Sequence, residues 1–340
     1  MKQKIVVTRE VFDETLEYLG RHFEVVANQE DRRHSRDELI ALLQGAAGAQ
    51  TSGTDRIDGE LLDRCPGLRA VCNTAVGYNN IDLDACTARG VMATNTPGVL
   101  DDSVADYTMG LVIATCRRIG EGERYLRAGQ WTGTYLKQTL GQDVHGATLG
   151  LFGFGRIGQA IAKRARGFDM NILYHSRSRA AAEAERPFDA RYVSKEALLR
   201  EADIVLLILP YTPETHHYGC VEEIAYRKGY IGAKELCMMK RSAVLINMAR
   251  GGIVDDAALI EALKKKTIWA AGLDVFENEP RLNPGFLALE NAVLSPHIAS
   301  ASEPTRKAMA MTAAKNLVAA LTGGAPPNLL NPACRERARA

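Results

Sequence analysis

The chain has 340 residues, 46% of them hydrophobic, and a formal net charge of +1. That length can bury a large core and calls for two domains rather than one; the near-zero charge leaves no electrostatic footprint for nucleic acid or an anionic membrane. Seven cysteines without a C-x-x-C pair argue against a disulfide framework or a zinc site and for a reducing, cytoplasmic setting, and no metal site is expected.

The amino-terminal MKQKIVVTREVF has too short an apolar run for a secretory leader, and no stretch approaches the ~20 apolar residues of a membrane span. Within it, Lys4–Thr8 reads as a buried strand. Val11–Phe23 follows with helical periodicity, and Glu24–Ala27 returns to strand character. Leu68–Asn73 is another strand candidate, entering a helix through AVGYNNIDLDAC. Alternating strands and helices imply a parallel sheet. The first strand–helix turn, around Thr8–Glu10, carries no glycine, so this unit does not read as a nucleotide binder. NTPG at Asn95–Gly98 marks a crossing between domains. The apolar helix Ser103–Arg118 that follows must be buried, in a core or against a second subunit.

A second α/β series begins at Ala147–Phe152. Its further strands are Asn171–His175, Ile204–Leu209, Ala243–Asn247, Trp269–Asp274 and Ala292–Leu294, and a helix covers about Pro304–Leu321. Directly after the first of these strands, Gly153, Gly155 and Gly158 form G-x-G-x-x-G at the mouth of a helix. The first glycine permits the tight turn, the second lets the backbone approach a diphosphate, and the third allows close helix–strand packing. With strand before and helix after, the pattern predicts a dinucleotide site.

The second strand of that unit decides which dinucleotide. An NAD site places Asp or Glu near its end to hold the ribose hydroxyls. Here Ser176, 21 residues after Gly155, stands in that place, and Arg177 and Arg179 follow. A carboxylate would repel a 2′-phosphate, whereas a hydroxyl and guanidinium groups bind it by charge-assisted hydrogen bonds. NADPH is therefore expected over NADH, with NADH still possible.

Three later segments carry chemistry: LINMARGGIVDDAAL with Arg250, AAGLDVFENEP with Asp274 and Glu279, and VLSPHIAS with His297. Each follows an apolar strand, and open α/β sheets bind ligands at the carboxyl ends of their strands. These segments, with AVGYNNIDLDA, NTPGVL, VADYTMGLV, GFGRIGQAIA and LPYTPETHH, resemble the D-isomer-specific 2-hydroxyacid dehydrogenase family over nearly the whole chain. The resemblance is nearest to its glyoxylate/hydroxypyruvate and 2-ketogluconate reductases.

That resemblance implies roles. His297 would be the general acid on the carbonyl oxygen, Glu279, 18 residues upstream, would orient it, and Arg250 would clamp the substrate carboxylate. Backbone N–H groups of Val76 and Gly77 would hold the same carboxylate; Tyr78 reads either as a wall of the substrate pocket or as packing only. Arg156 and Ile157 would lie by the pyrophosphate, Pro210 and Thr215 along the nucleotide channel, and Thr108 against a phosphate. Ala249 and Asp274 would position the nicotinamide; as a bare sequence feature, Asp274 also fits a helix N-cap. Glu279 speaks against the related formate dehydrogenases, which place glutamine there.

The family implies a flavodoxin-like substrate domain, residues 1–98 and 299–340, with a Rossmann-type, doubly wound NADP-binding domain, 99–298, inserted in it. The substrate would sit between the two, and a homodimer would form through Ser103–Arg118 and Gln130–Gly146. The implied reaction is reduction of a small 2-keto acid. Two alternatives stand beside it: a nucleotide-sensing corepressor-like binding protein, and an NAD-linked D-2-hydroxyacid dehydrogenase of other specificity. One departure from the family's pattern is GCVEEIAYRKGY, Gly219–Tyr230, which reads as an insertion; loop insertions cost little stability.

Overall fold

Short aliphatic runs build the first sheet. Strands β1 (Lys4–Val7), β2 (Glu24–Ala27), β3 (Gly48–Thr51), β4 (Ala70–Asn73) and β5 (Met92–Thr94) alternate with helices α1 (Asp13–His22), α2 (Arg36–Leu43), α3 (Gly59–Arg64) and α4 (Leu83–Ala88) in the computed structural model. The model describes residues 2–134, 136–212, 214–215 and 229–334. All pairings are parallel, in the order β2-β1-β3-β4-β5, the flavodoxin-like order. Helix starts follow side-chain chemistry: Ser35 and Glu38 form a reciprocal capping box, and Asp58 and Asp82 cap α3 and α4.

The chain divides into two compact units, Met1–Leu100 with Ala301–Ala340, and Asp101–Ser300. The second opens with α5 (Asp101–Cys116) and α6 (Ile119–Arg127). It continues as β6 (Thr148–Phe152), α7 (Arg156–Ala165), β7 (Asn171–His175), α8 (Ala182–Glu185), β8 (Arg191–Tyr192), α9 (Lys195–Glu201) and β9 (Ile204–Leu207). It closes with α10 (Ala233–Met238), β10 (Val244–Asn247), α11 (Asp256–Lys264), β11 (Ala270–Leu273) and β12 (Ala292–Leu294). The seven strands are parallel in the order β12-β11-β10-β9-β6-β7-β8. This is the doubly wound, Rossmann-type order with one added strand: the chain starts at β6, winds to the β8 edge, then returns to β9 on the other side of β6. The reversal between β6 and β9 is a topological switch point, where such sheets bind ligands.

The carboxyl-terminal helix α12 (Glu303–Leu321) rejoins the first unit and packs on α1, β3 and β4. Its Ala313, Ala314, Leu317 and Leu321 share a buried cluster with Ile5, Val7, Leu19 and Cys72; each large side chain so buried stabilises by about 1.5–3 kcal/mol. In the second unit, α5 buries Val104, Met109, Leu111 and Val112 against α7 and the β10–β12 side of the sheet. The strands read from the sequence are all present, trimmed by up to two residues. Three were not read there: GAQT at β3, MAT at β5 and RY at β8 are too short and too poor in β-branched residues to register. The reading of Gly219–Tyr230 as an insertion falls outside the described residues, except for Gly229 and Tyr230.

Candidate active site

Three carboxyl-terminal strand ends of the second unit carry the expected chemistry. Arg250 follows β10, Glu279 follows β11 and His297 follows β12. Glu279 uses both carboxylate oxygens. Oε1 accepts the Phe276 N–H at 2.9 Å, and Oε2 accepts from His297 Nδ1 at 2.8 Å. Burial alone would raise the Glu279 carboxyl; the bond to His297, the backbone N–H and the charge of Arg250 hold it below its ordinary value. An ionised carboxylate can only accept, so the Nδ1 proton stays on the imidazole facing Glu279, and Nε2 is left for another partner. Arg250 is half-buried, and its Nη1 donates to the Ala249 carbonyl at 2.7 Å. Burial pushes its guanidinium down and Glu279 pulls it back up.

Gly251 explains how Arg250 comes so near Glu279. A Cβ at Gly251 would lie 1.8 Å from the Phe276 carbonyl oxygen and 2.5 Å from the Glu277 nitrogen. The Arg250 turn is therefore pressed against the backbone of the segment carrying Glu279, an approach open only to glycine.

The His297 segment is held by a residue given another part in the sequence reading. His297 has φ +54°, a left-handed conformation that side chains adopt at a cost. Asp274, 1% exposed, holds the loop in that shape: its carboxylate accepts from Ser295 Oγ at 2.7 Å, Ile298 N at 2.9 Å and Ala299 N at 3.0 Å. Tyr107 of α5 lies close enough to Ser295 and Asp274 to feel both electrostatically. Asp274 thus braces the loop that carries His297. Neither Ser295 nor Tyr107 stands out in the sequence; the only signal was an acid at one strand end and a serine two residues before the histidine.

The glycine turn passes a test of fit for a dinucleotide. Gly153 has φ +101°, and a Cβ there would lie 2.8 Å from the Ile208 carbonyl oxygen; one at Gly158 would lie 2.5 Å from the Gly153 carbonyl oxygen. At Gly155, the N-cap of α7, nothing lies within 4 Å of a built Cβ. The turn is tight where it packs and open at the helix N-terminus, where unpaired N–H groups and the helix dipole favour a diphosphate. Arg156 and Ile157 occupy the first turn of α7, with Arg156 Nε 3.4 Å from Asp101 Oδ2.

The remaining expected residues differ in accessibility. Ser176 directly follows β7 beside the glycine turn, its Oγ accepting the Phe154 N–H at 3.2 Å. Arg177 is exposed, and among the described residues it has no ion-pair partner, although the Glu214 carboxyl senses its charge. Arg179 is bound bidentately to Glu185 at 2.9 and 2.8 Å, so the phosphate expectation moves onto Ser176 and Arg177. Thr108 is fully buried and donates to the Val104 carbonyl at 2.6 Å, which turns it away from any phosphate. Thr215 Oγ1 folds back on the Pro210 carbonyl at 2.7 Å, and Ala249 is buried.

In the first unit, the Val76 and Gly77 carbonyls accept from Asn95 Nδ2 at 2.8 Å and Asn73 Nδ2 at 2.9 Å. Among the described residues their N–H groups donate to nothing, and neighbouring Tyr78 is 42% exposed. No cluster of metal-binding side chains occurs among the described residues.

A diphosphate cradle and an acid-paired imidazole on one sheet edge define a nicotinamide-dependent oxidoreductase. Comparison with known proteins narrows this class. Residues 109–299 match the family described as D-isomer specific 2-hydroxyacid dehydrogenase, NAD binding domain. The glyoxylate reductase of Thermococcus gammatolerans is 44% identical over 97% of this chain and 96% of its own length, and that of Aeropyrum pernix is 44% identical over the same shares. Among solved structures, a Sinorhizobium meliloti NADPH-dependent glyoxylate/hydroxypyruvate reductase in complex with NADP and malonate is 34% identical, with TM-score 0.82 over 97% of each chain. A glyoxylate reductase from Paecilomyes thermophila is 32% identical, with TM-score 0.84 over 97% of this chain and 98% of its own. The chain belongs to the D-isomer specific 2-hydroxyacid dehydrogenases.

Proposed function

We propose that the protein reduces a small 2-keto acid, of the glyoxylate, hydroxypyruvate or 2-ketogluconate type, to the D-2-hydroxy acid, with NADPH preferred and NADH usable. The observation that carries this reading is the Glu279–His297 pair at 2.8 Å beside the charge of Arg250. Relatives named glyoxylate reductase support the substrate class. When bound, the reduced nicotinamide supplies a hydride to the carbonyl carbon. His297 delivers the matching proton from Nε2 to the carbonyl oxygen while Nδ1–H stays on Glu279, so one hydride and one proton convert ketone to alcohol. Arg250 pairs with the substrate carboxylate and draws electron density from the adjacent carbonyl. In the first unit, the Val76 and Gly77 carbonyls are tied back by Asn95 and Asn73, which leaves their N–H groups as candidate donors to a carboxylate.

On this reading the unit Asp101–Ser300 holds the cofactor. Gly155, Arg156 and Ile157 would cradle the diphosphate; Ser176 and Arg177 would take the 2′-phosphate. A cytoplasmic setting accords with Cys65, Cys72, Cys86, Cys116 and Cys237 as reduced thiols. No helix among the described residues is long and apolar enough to cross a membrane. We assign a homodimer to the stretch from α6 to residue 140, where Ile119, Leu126, Trp131, Leu136 and Leu140 are all more than half exposed.

Purified protein mixed with NADPH and each keto acid should oxidise the nicotinamide, read at its near-ultraviolet absorbance; no turnover with any of them would refute the reading. The double variant Ser176→Asp, Arg177→Ala should invert the NADPH-to-NADH ratio of kcat/KM, and an unchanged ratio would overturn the cofactor assignment.

A further inference from the structure

We infer that Tyr174, Glu185 and Arg179 form a brace that sets NADPH selectivity without touching the cofactor; the inference rests on the NADPH reading above. The segment between β7 and α8 holds Arg177 and Ser178, both exposed, between two pinned ends. At one end Ser176 is fixed twice: its Oγ accepts the Phe154 N–H at 3.2 Å, and its carbonyl accepts from Tyr192 Oη at 3.1 Å. At the other end the Ala180 N–H donates to Tyr174 Oη at 2.8 Å. That hydroxyl in turn donates to Glu185 Oε1, whose carboxylate receives the Arg179 fork at 2.9 and 2.8 Å.

Tyr174 is fully buried, its ring stacked on Phe154 of the glycine turn at 4.2 Å between centroids. Glu185 is 7% exposed. One buried phenol therefore couples the packing of the diphosphate turn to the loop that must meet the 2′-phosphate. A mobile arginine would lose conformational entropy on gripping a phosphate; one flanked by fixed backbone loses less, so the brace favours the phosphorylated cofactor selectively. Arg179 acts in this arrangement through Glu185, holding the loop closed, while Arg177 reaches the phosphate.

Isothermal titration of the full chain with 2′,5′-ADP and 5′-AMP isolates the 2′-phosphate from turnover. The wild type should prefer 2′,5′-ADP. Tyr174→Phe, which keeps the stacked ring and removes the hydroxyl, should weaken 2′,5′-ADP by about three- to tenfold, the worth of one or two hydrogen bonds, and leave 5′-AMP within about twofold. Glu185→Gln should show the same pattern. In an Arg177→Ala background the Tyr174→Phe effect should vanish, because the brace acts through that arginine.

Equal losses for both ligands, no loss in either variant, or a loss that persists without Arg177 would overturn the brace. A wild type that does not distinguish the two ligands would instead bring down the NADPH reading, and the brace with it.

Discussion

Glu279 is engaged on both oxygens, so its charge and its geometry can be separated experimentally. Glutamine keeps the shape but removes the anion 2.8 Å from His297. The imidazole then loses the anion that fixes its tautomer and orientation, and reduction, which needs its proton, should slow by about tenfold or more in kcat. A kcat that does not fall in Glu279→Gln would count against the pairing. The carboxylate itself has a pH window. The Glu279 carboxyl is held below its ordinary value, so the carboxylate stays ionised throughout the neutral range and its hydrogen bond to His297 is lost only as pH falls through that lowered value. Gly251 makes a second residue-scale prediction. Alanine there would place a methyl 1.8 Å from the Phe276 oxygen, so the Arg250 turn must move away. Displacement of a clamp by about 1 Å costs on the order of 100-fold, and Gly251→Ala should lower kcat/KM at least that far. A variant with wild-type kinetics would show that the close approach is not needed.

Among the elements, the loop after β12 is the one whose shape depends most on a single side chain. Ser295, Ile298 and Ala299 all converge on Asp274, and His297 is carried between them at a positive φ. Asp274→Asn would turn an amide donor toward at least one of those N–H groups. The expected result is a loss of about 1–3 kcal/mol in unfolding free energy, the cost of an unsatisfied buried donor, together with a fall in kcat. Denaturant unfolding alongside steady-state kinetics tests both; a stable variant with full kcat would remove Asp274 from its bracing part. The same element shows why sequence reading gave Asp274 to the nicotinamide. An acid at the end of a strand fits a cofactor contact and an N-cap equally well, and only the path of a segment more than 20 residues later decides between them.

For the whole molecule, the apolar surface is unevenly distributed. Trp131 is 60% exposed, Leu136 94% and Leu140 61%, with Ile119 and Leu126 close in sequence. A second copy of the chain would cover such a stretch, as the dimer assignment requires. Leu136→Glu with Trp131→Ala should shift the sedimentation mass from two chains to one; a wild type already monomeric, or a variant still dimeric, would sink that assignment.

What the sequence determined by itself was whatever short-range patterning controls. Aliphatic runs placed β6, β7, β9, β10 and β11, because buried parallel strands must be apolar on both faces. G-x-G-x-x-G fixed a tight strand–helix turn, because Gly153 and Gly158 answer local steric demands. The order of Arg250, Glu279 and His297 after successive strands was legible for the same reason. The tertiary structure alone decided which polar groups meet. It bound Arg179 to Glu185, buried Thr108 in α5 and wrapped the His297 loop around Asp274. A hydrogen bond needs its partners within about 3 Å and correctly aimed, and residues distant in sequence reach that register only once the sheet has brought their strand ends side by side.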